Sequence, residues 1–233
     1  MKWITRIGSI IIALCLFMIL LINAIDYSVY YRPKFYRKTF EKYHVTADAK
    51  MEMSEILKVS DYLIHYLKDH EESLENFQAV VDGTKRVFYS QREILHMKDV
   101  KILFGYGMAC RRICMITSIL LLFVLLIRKV PFIRTLVRCI VGTFLSLLGI
   151  LGGFALVVSA DFNRAFLTFH RIFFNNDLWL LDPEKDWVIR LLPQGFFMDM
   201  AIVILVVFSL SILAVLTACI LWLKFSRRHM SDT

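Results

Sequence analysis

The chain has 233 residues, 58% of them hydrophobic, a mean hydropathy of +0.61 and a formal net charge of +8. That composition excludes an ordinary soluble domain, because the apolar residues gather into blocks long enough to cross about 30 Å of hydrocarbon at about 1.5 Å per helical residue. It excludes a nucleic-acid partner too, since no aromatic-interleaved basic patch accompanies the charge and membrane topology accounts for it.

The first block, Trp3 to Ile25, has a basic start at Lys2 and Arg6. It resembles a secretory signal, yet its apolar stretch is too long, and Ile22 and Ala24 make a poor cleavage site. The expectation is an uncleaved anchor over residues 1–25. Residues 26–100 follow as a cap rather than a loop. From Asp26 to Lys101 the chain carries 13 Lys+Arg and 13 Asp+Glu, so this part nets to zero. Within "MSEILKVSDYLIHYLKDH", Ile56, Leu57, Leu63, Ile64 and Leu67 recur at helical spacing, with Ser54 and Glu55 suited to the N-terminus. In "FQAVVDGTKRVFY", Asp82-Gly83 between β-prone arms predicts a two-residue hairpin that delivers the chain to Ser90 and His96.

Residues 101–160 hold the second and third spans, roughly Leu103 to Ile127 and Phe132 to Ala160. In the third, Gly142, Ser146, Gly149 and Gly153 form a stripe of small residues along which another helix is expected to approach. Residues 161–195 read as an interfacial segment. There Phe162, Phe166, Phe169 and Phe173 share a helical face, and Phe166, His170 and Phe174 follow at i, i+4 and i+8. Trp179 and Trp187 suit the headgroup level. Residues 196–233 supply the fourth span, Phe196 to Leu223, and a basic tail.

Lys2 and Arg6, then Arg128, Lys129, Arg134 and Arg138, then Lys224, Arg227 and Arg228 flank the spans on one side. By the positive-inside rule that side is cytoplasmic, with both termini in it. The fold class is therefore integral membrane, mainly α, with four transmembrane helices and a small α+β extracellular cap. Cys15, Cys110, Cys114, Cys139 and Cys219 all lie in or beside spans, so no disulfide framework is expected in the cap.

His96 and His170 come from separate outer segments, each adjoining a span. Histidine suits proton transfer near neutral pH. Periodicity alone leaves open whether they are unrelated interfacial side chains or one site. Asp99, three residues after His96, shares its helical face and is placed to orient the imidazole or to join a metal site, but a metal needs more ligands than this. No metal and no cofactor are expected. His44, His65 and His70 read as solvated and His229 as part of the tail; Cys110 and Cys114 read as packing, and Arg111 and Arg112 as snorkelling to the interface. No nucleophile elbow, Walker loop or dinucleotide fingerprint occurs.

"REILHMKDVKILF" together with "FHRIFFNNDLWLLDPEKDWVIRLLPQGFFMD" resembles the two signature blocks of the bacterial lipoprotein intramolecular transacylase family, and the resemblance runs over essentially the whole chain. It implies that His96 and His170 are the catalytic pair. The implied reaction moves the sn-2 acyl chain of a diacylglyceryl lipoprotein onto the α-amine of its own N-terminal cysteine, leaving the lyso form. Asp99, Phe166, Phe169, Phe174, Asn176 and Trp179 are then the expected pocket or orienting residues. Diacylglyceryl lipoproteins are the implied partners, with membrane lipid around them, and the bacterial cell membrane the location. Two other readings stand beside it: an intermolecular acyltransferase with Cys110 as nucleophile, and a tetraspan accessory protein whose cap binds a partner.

The charge pattern yields a topological prediction. Cysteines introduced by Lys68→Cys and Lys185→Cys should react with an impermeant thiol reagent on intact cells, and Lys129→Cys should not. The reverse pattern would invert the orientation.

Overall fold

A computed structural model describes residues 2–71, 73–128 and 131–231. Lys129 lies outside them, and the side chains of Lys2, Arg227, Arg228 and His229 are not described. In chain order the elements are α1 (Lys2–Tyr30), α2 (Pro33–Lys42), α3 (Val45–Asp48), α4 (Met53–Leu67), β1 (Gln78–Val81), β2 (Thr84–Val87), α5 (Gln91–Ile127), α6 (Ile133–Ala160), α7 (Phe162–Phe173), α8 (Val188–Leu191) and α9 (Gln194–Ser231). Four stretches, Trp3–Tyr30, Gln91–Ile127, Ile133–Ala160 and Gln194–Ser226, are long and apolar enough to cross a membrane.

The chain divides into two compact units. One comprises residues 1–25, 107–160 and 204–233; the other comprises 26–106 and 161–203. In the first, α1 is the helix against which the others pack. Its span is 39% buried, whereas the other three are only 11–17% buried. Phe17 at its centre meets Phe144 of α6 and Phe208 of α9 edge to face at 5.6 and 5.1 Å, and Ala13, Ile140, Ile212 and Leu216 fill in around them. Ile12 joins a second cluster with Leu125 and Phe132. The remaining faces stay apolar and open, as lipid-facing helices require. The small-residue stripe of α6 lies on an open face: a Cβ at Gly142, Gly149 or Gly153 would meet nothing within 4 Å. The bulky residues Ile140 and Phe144, not the glycines, choose the packing face of α6.

In the second unit, α4 buries Ile56, Val59, Ser60, Leu63 and Tyr66. The expected Leu57, Ile64 and Leu67 are only half buried, so the inward stripe is rotated toward Val59 and Tyr66. Asp82 (φ 52°) and Gly83 (φ 69°) both take the left-handed region, which a type I′ turn demands, and join β1 to β2 with Val81 opposite Thr84. Two short helices, α2 and α3, go beyond what the sequence predicts. Pro33 starts the first, and His44, at φ 52°, turns the chain sharply into the second. The stacked pair Phe40–Phe196 (5.8 Å) holds α2 against the start of α9.

Close by, a Cβ on Gly195 would lie 2.3 Å from Cε1 of Tyr43, so a larger side chain there must displace that ring. Gly195→Ala should lower stability by about 1–3 kcal/mol, the usual cost of overpacking. Thermal unfolding in detergent would measure it. Adding Tyr43→Ala to Gly195→Ala should recover most of the loss attributable to the clash; if it does not, the Tyr43 ring is not what demands glycine at this position.

Candidate active site

The polar start of α5 is helical because Ser90 and Glu93 form a capping box, the S-x-x-E spacing in "SQRE". Ser90 N–H donates to Glu93 Oε2 (2.6 Å), and Glu93 N–H donates to Ser90 Oγ (3.2 Å). Glu93 has no exposed surface, and its Oε1 accepts from Val188 N–H (2.5 Å). Ser90 Oγ donates to Asp186 Oδ1 (2.8 Å), while Asp186 Oδ2 accepts from Asp182 N–H (2.8 Å). The first turn of α5 is thus clipped to the 182–188 segment. Sequence reasoning misses these partners, although the capping-box spacing is legible. The helix therefore begins at Gln91 rather than near Leu103, and it carries His96 and Asp99 in its second and third turns.

His96 is 5% exposed and His170, near the end of α7, is 8% exposed; their ring centroids lie 6.0 Å apart. Aromatic rings enclose them. Phe166 (4.3 Å), Trp179 (5.0 Å, stacked), Phe169 (5.5 Å) and Phe174 (5.6 Å) surround His170, and Phe174 also meets His96 edge-on at 5.3 Å. Phe197 of α9, unforeseen, packs on Phe166 at 5.3 Å. Trp187, expected at the headgroup level, lies between the guanidinium groups of Arg86 and Arg190.

The two imidazoles differ in their hydrogen bonding. Nδ1 of His170 lies 2.8 Å from the Phe166 carbonyl oxygen. A carbonyl only accepts, so this nitrogen carries the proton and Nε2 of the neutral ring is a bare base. Burial holds the His170 pKa below its ordinary 6.5, offset in part by that carbonyl. Nδ1 of His96 is buried and finds no hydrogen-bond partner among the described residues. A buried orphan N–H is rarer and costlier than a buried lone pair, so the neutral ring is best served by a proton on Nε2. One ring then offers an acceptor and the other a donor.

Asp99 makes no hydrogen bond to His96. Its Oδ2 accepts from Asn176 Nδ2 (2.9 Å), Asn176 Oδ1 accepts from Leu178 N–H (3.0 Å), and the Asn176 carbonyl accepts from Trp179 Nε1 (2.7 Å). Arg92 donates to the Asp177 carbonyl in the same loop. Asp99 and Asn176 thereby seat the indole that stacks on His170. Among the described residues no three His, Cys, Asp or Glu side chains converge as metal ligands would. An open hollow of about 670 Å³ lies elsewhere, lined by residues such as Lys50, Glu52, Glu55 and Asp82; neither histidine reaches it.

Comparison with known proteins gives this geometry a family. A family model described as lipoprotein intramolecular transacylase Lit matches residues 10–197, a range that contains both histidines and the whole aromatic enclosure. No curated protein sequence matches the chain. An in meso structure of the membrane integral lipoprotein intramolecular transacylase Lit from Bacillus cereus aligns with a TM-score of 0.76 at 22% identity, covering 100% of both chains. Two further structures of that Bacillus cereus protein, with one histidine changed to arginine or to alanine, align at TM-score 0.74 and 21% identity; they cover 98% and 97% of this chain and 96% and 97% of theirs. At this identity the likeness shows a shared fold.

The Glu93 clip yields a stability prediction. Glu93→Ala orphans the N–H groups of Ser90 and Val188, each worth about 1–3 kcal/mol when buried. Glu93→Gln keeps one carbonyl acceptor and should lose less. Thermal unfolding in detergent should rank wild type above Glu93→Gln above Glu93→Ala, and equal stability of all three would mean that the carboxylate does not hold the start of α5 to the 182–188 segment.

Proposed function

The chain belongs to the lipoprotein intramolecular transacylase family, and from that premise we propose that it transfers the sn-2 acyl chain of a diacylglyceryl lipoprotein to the α-amine of the same molecule's N-terminal cysteine, releasing the N-acyl, S-monoacylglyceryl form. Donor and acceptor share one molecule. Attack of the amine on the ester carbon closes an eight-membered ring through the cysteine sulfur and two glyceryl carbons. Such a ring is entropically awkward, and a pocket that folds the substrate recovers part of the cost, since oriented intramolecular reactions reach effective molarities of about 10⁵–10⁸ M. Phe166, Phe169, Phe174 and Trp179 are the walls proposed for it.

The observation that carries the reading is the unequal hydrogen bonding of the two rings, which supports opposed protonation. As the amine nitrogen bonds to the acyl carbon, its proton passes to the bare Nε2 of His170. The Nε2–H of His96 donates to the oxygen that becomes negative. Collapse of the tetrahedral intermediate breaks the bond from the acyl carbon to the glyceryl oxygen, and His170 returns its proton to that oxygen. The rings end as they began, so no enzyme nucleophile and no external acid is consumed. General acid–base help of this kind contributes about 10²–10⁴ in rate, and one oxyanion donor about 10²–10³. The proposed setting is the bacterial cell membrane, with residues 26–100 and 161–195 as an extracellular cap and both termini inside.

The test is conversion of a purified diacylglyceryl lipopeptide to its lyso form in detergent, followed by mass spectrometry. His170→Gln removes the base and should cost about 10² or more. His96→Gln keeps a side-chain N–H donor and should cost less than His96→Ala. Cys110→Ala should retain most activity, whereas its loss would favour an acyl-enzyme. With a neutral base held below 6.5, wild-type activity should stay limited by the substrate amine, whose pKa is about 7.7–8.0, and His170 should add a second acid limb only below pH 6.5. Near-normal turnover by His170→Gln would overturn the mechanism.

A further inference from the structure

Asp99 carries a charge that proton transfer between the histidines and the substrate does not use. It sits three residues after His96 on the same face of α5 and is half buried. It is the carboxylate whose field reaches the His96 ring. Asn176 engages only its Oδ2, and among the described residues no lysine or arginine pairs with it. On the same helix, Lys101 pairs with Asp69 (2.8 Å) and the Glu71 carbonyl, and Arg92 donates to the Asp177 carbonyl. A partly buried carboxylate without a counter-ion, beside imidazoles that offer one acceptor and one donor and are walled by aromatic faces, is complementary to a cation.

The transacylase substrate brings one to the reacting end of the molecule. Its α-amine has a pKa of about 7.7–8.0 and is mostly an ammonium at neutral pH. Resting on the transacylase reading, we propose that Asp99 is the binding residue for the α-amine of the lipoprotein's N-terminal cysteine, recognising it as the ammonium before reaction. The nitrogen is positive twice: before it loses its first proton to solvent, and again when it has bonded to the acyl carbon and not yet passed its second proton to His170. Asp99 faces the nitrogen at both moments and takes no proton itself. The free Oδ1 accepts from the ammonium while Oδ2 keeps Asn176, and with it Trp179, in place. The site therefore selects lipoproteins with an unmodified amine and disfavours its own N-acylated product, which has lost the charge.

The experiment uses a lipopeptide whose glyceryl chains are ether-linked and so cannot transfer, made with either a free or an acetylated N-terminus. Binding of each to the full-length protein in detergent is measured at pH 7 and pH 9.5. Wild type should prefer the free amine by about tenfold or more at pH 7, the scale of a hydrogen bond between charged groups. That preference should shrink at pH 9.5, where the amine is neutral. Asp99→Asn can still accept from Asn176 and should lose the preference at pH 7. Asn176→Ala, which disturbs the loop but leaves the charge, should weaken both peptides alike and keep the preference. An Asp99→Asn variant as selective as wild type overturns the assignment, and so does a wild type with no selectivity. Conversion of the ordinary diacylglyceryl peptide is assayed alongside: if wild type converts it and shows no amine preference, Asp99 falls alone, and if it does not convert it, the transacylase reading itself has failed.

Discussion

Glu93 is a carboxylate with no exposed surface, and the placement of the start of α5, and with it His96, depends on how that charge is satisfied. Burying an ion is costly unless every lone pair finds a donor. Ser90 N–H and Val188 N–H meet both oxygens, and Asp186, itself buried, takes Ser90 Oγ–H and Asp182 N–H. The geometry that relieves the charge also sets where α5 begins and against which loop. His96 lies less than one turn further along the same helix. A carboxylate that needs two particular backbone donors admits few alternative placements of the segment that carries it. Its value is in register more than in net stability.

Around His170 the constraint is different in kind. The ring sits among Phe166, Phe169, Phe174 and Trp179, none of which forces an imidazole into one tautomer. The Phe166 carbonyl, one helical turn back, does so at 2.8 Å. A carbonyl oxygen has two lone pairs and the helix ladder uses one, so a side chain four residues on is well placed to use the other. The Phe166 carbonyl orients the ring without adding a charge beside a buried imidazole. Asp99 and Asn176 act at one remove, by seating Trp179 against the ring.

The helical bundle follows a simpler rule. Without water to drive helices together, packing and small polar pairs must define their neighbours. Phe17 meets two other helices edge to face, and Asn23 accepts from Arg111 at 2.9 Å. That pairing gives Arg111 an intramolecular partner, where the sequence reads it as snorkelling or, with Arg112, as holding a lipid phosphate.

How much was legible in the sequence depends on the range of the interaction. Four long apolar runs, the Asp82-Gly83 turn and the aromatic period of α7 are local facts, since hydrocarbon thickness, positive φ and 3.6-residue periodicity act on neighbouring residues. The expectation that His96 and His170 form one site comes from two motif blocks rather than from periodicity, which could not tell a site from two stray histidines. Their unequal hydrogen bonding is decided only in three dimensions, because it depends on the Phe166 carbonyl being within reach of one ring and, among the described residues, on no donor or acceptor being within reach of Nδ1 of the other. The same holds for Glu93: its capping box with Ser90 is written in four consecutive residues, but its bond to Val188 joins positions 95 residues apart. The S-x-x-E spacing from Ser90 is a local pattern, and the helix it caps begins at Gln91. Only the folded chain decided that a buried carboxylate there would lock the helix against the 182–188 loop, because the donor that completes it belongs to a distant segment.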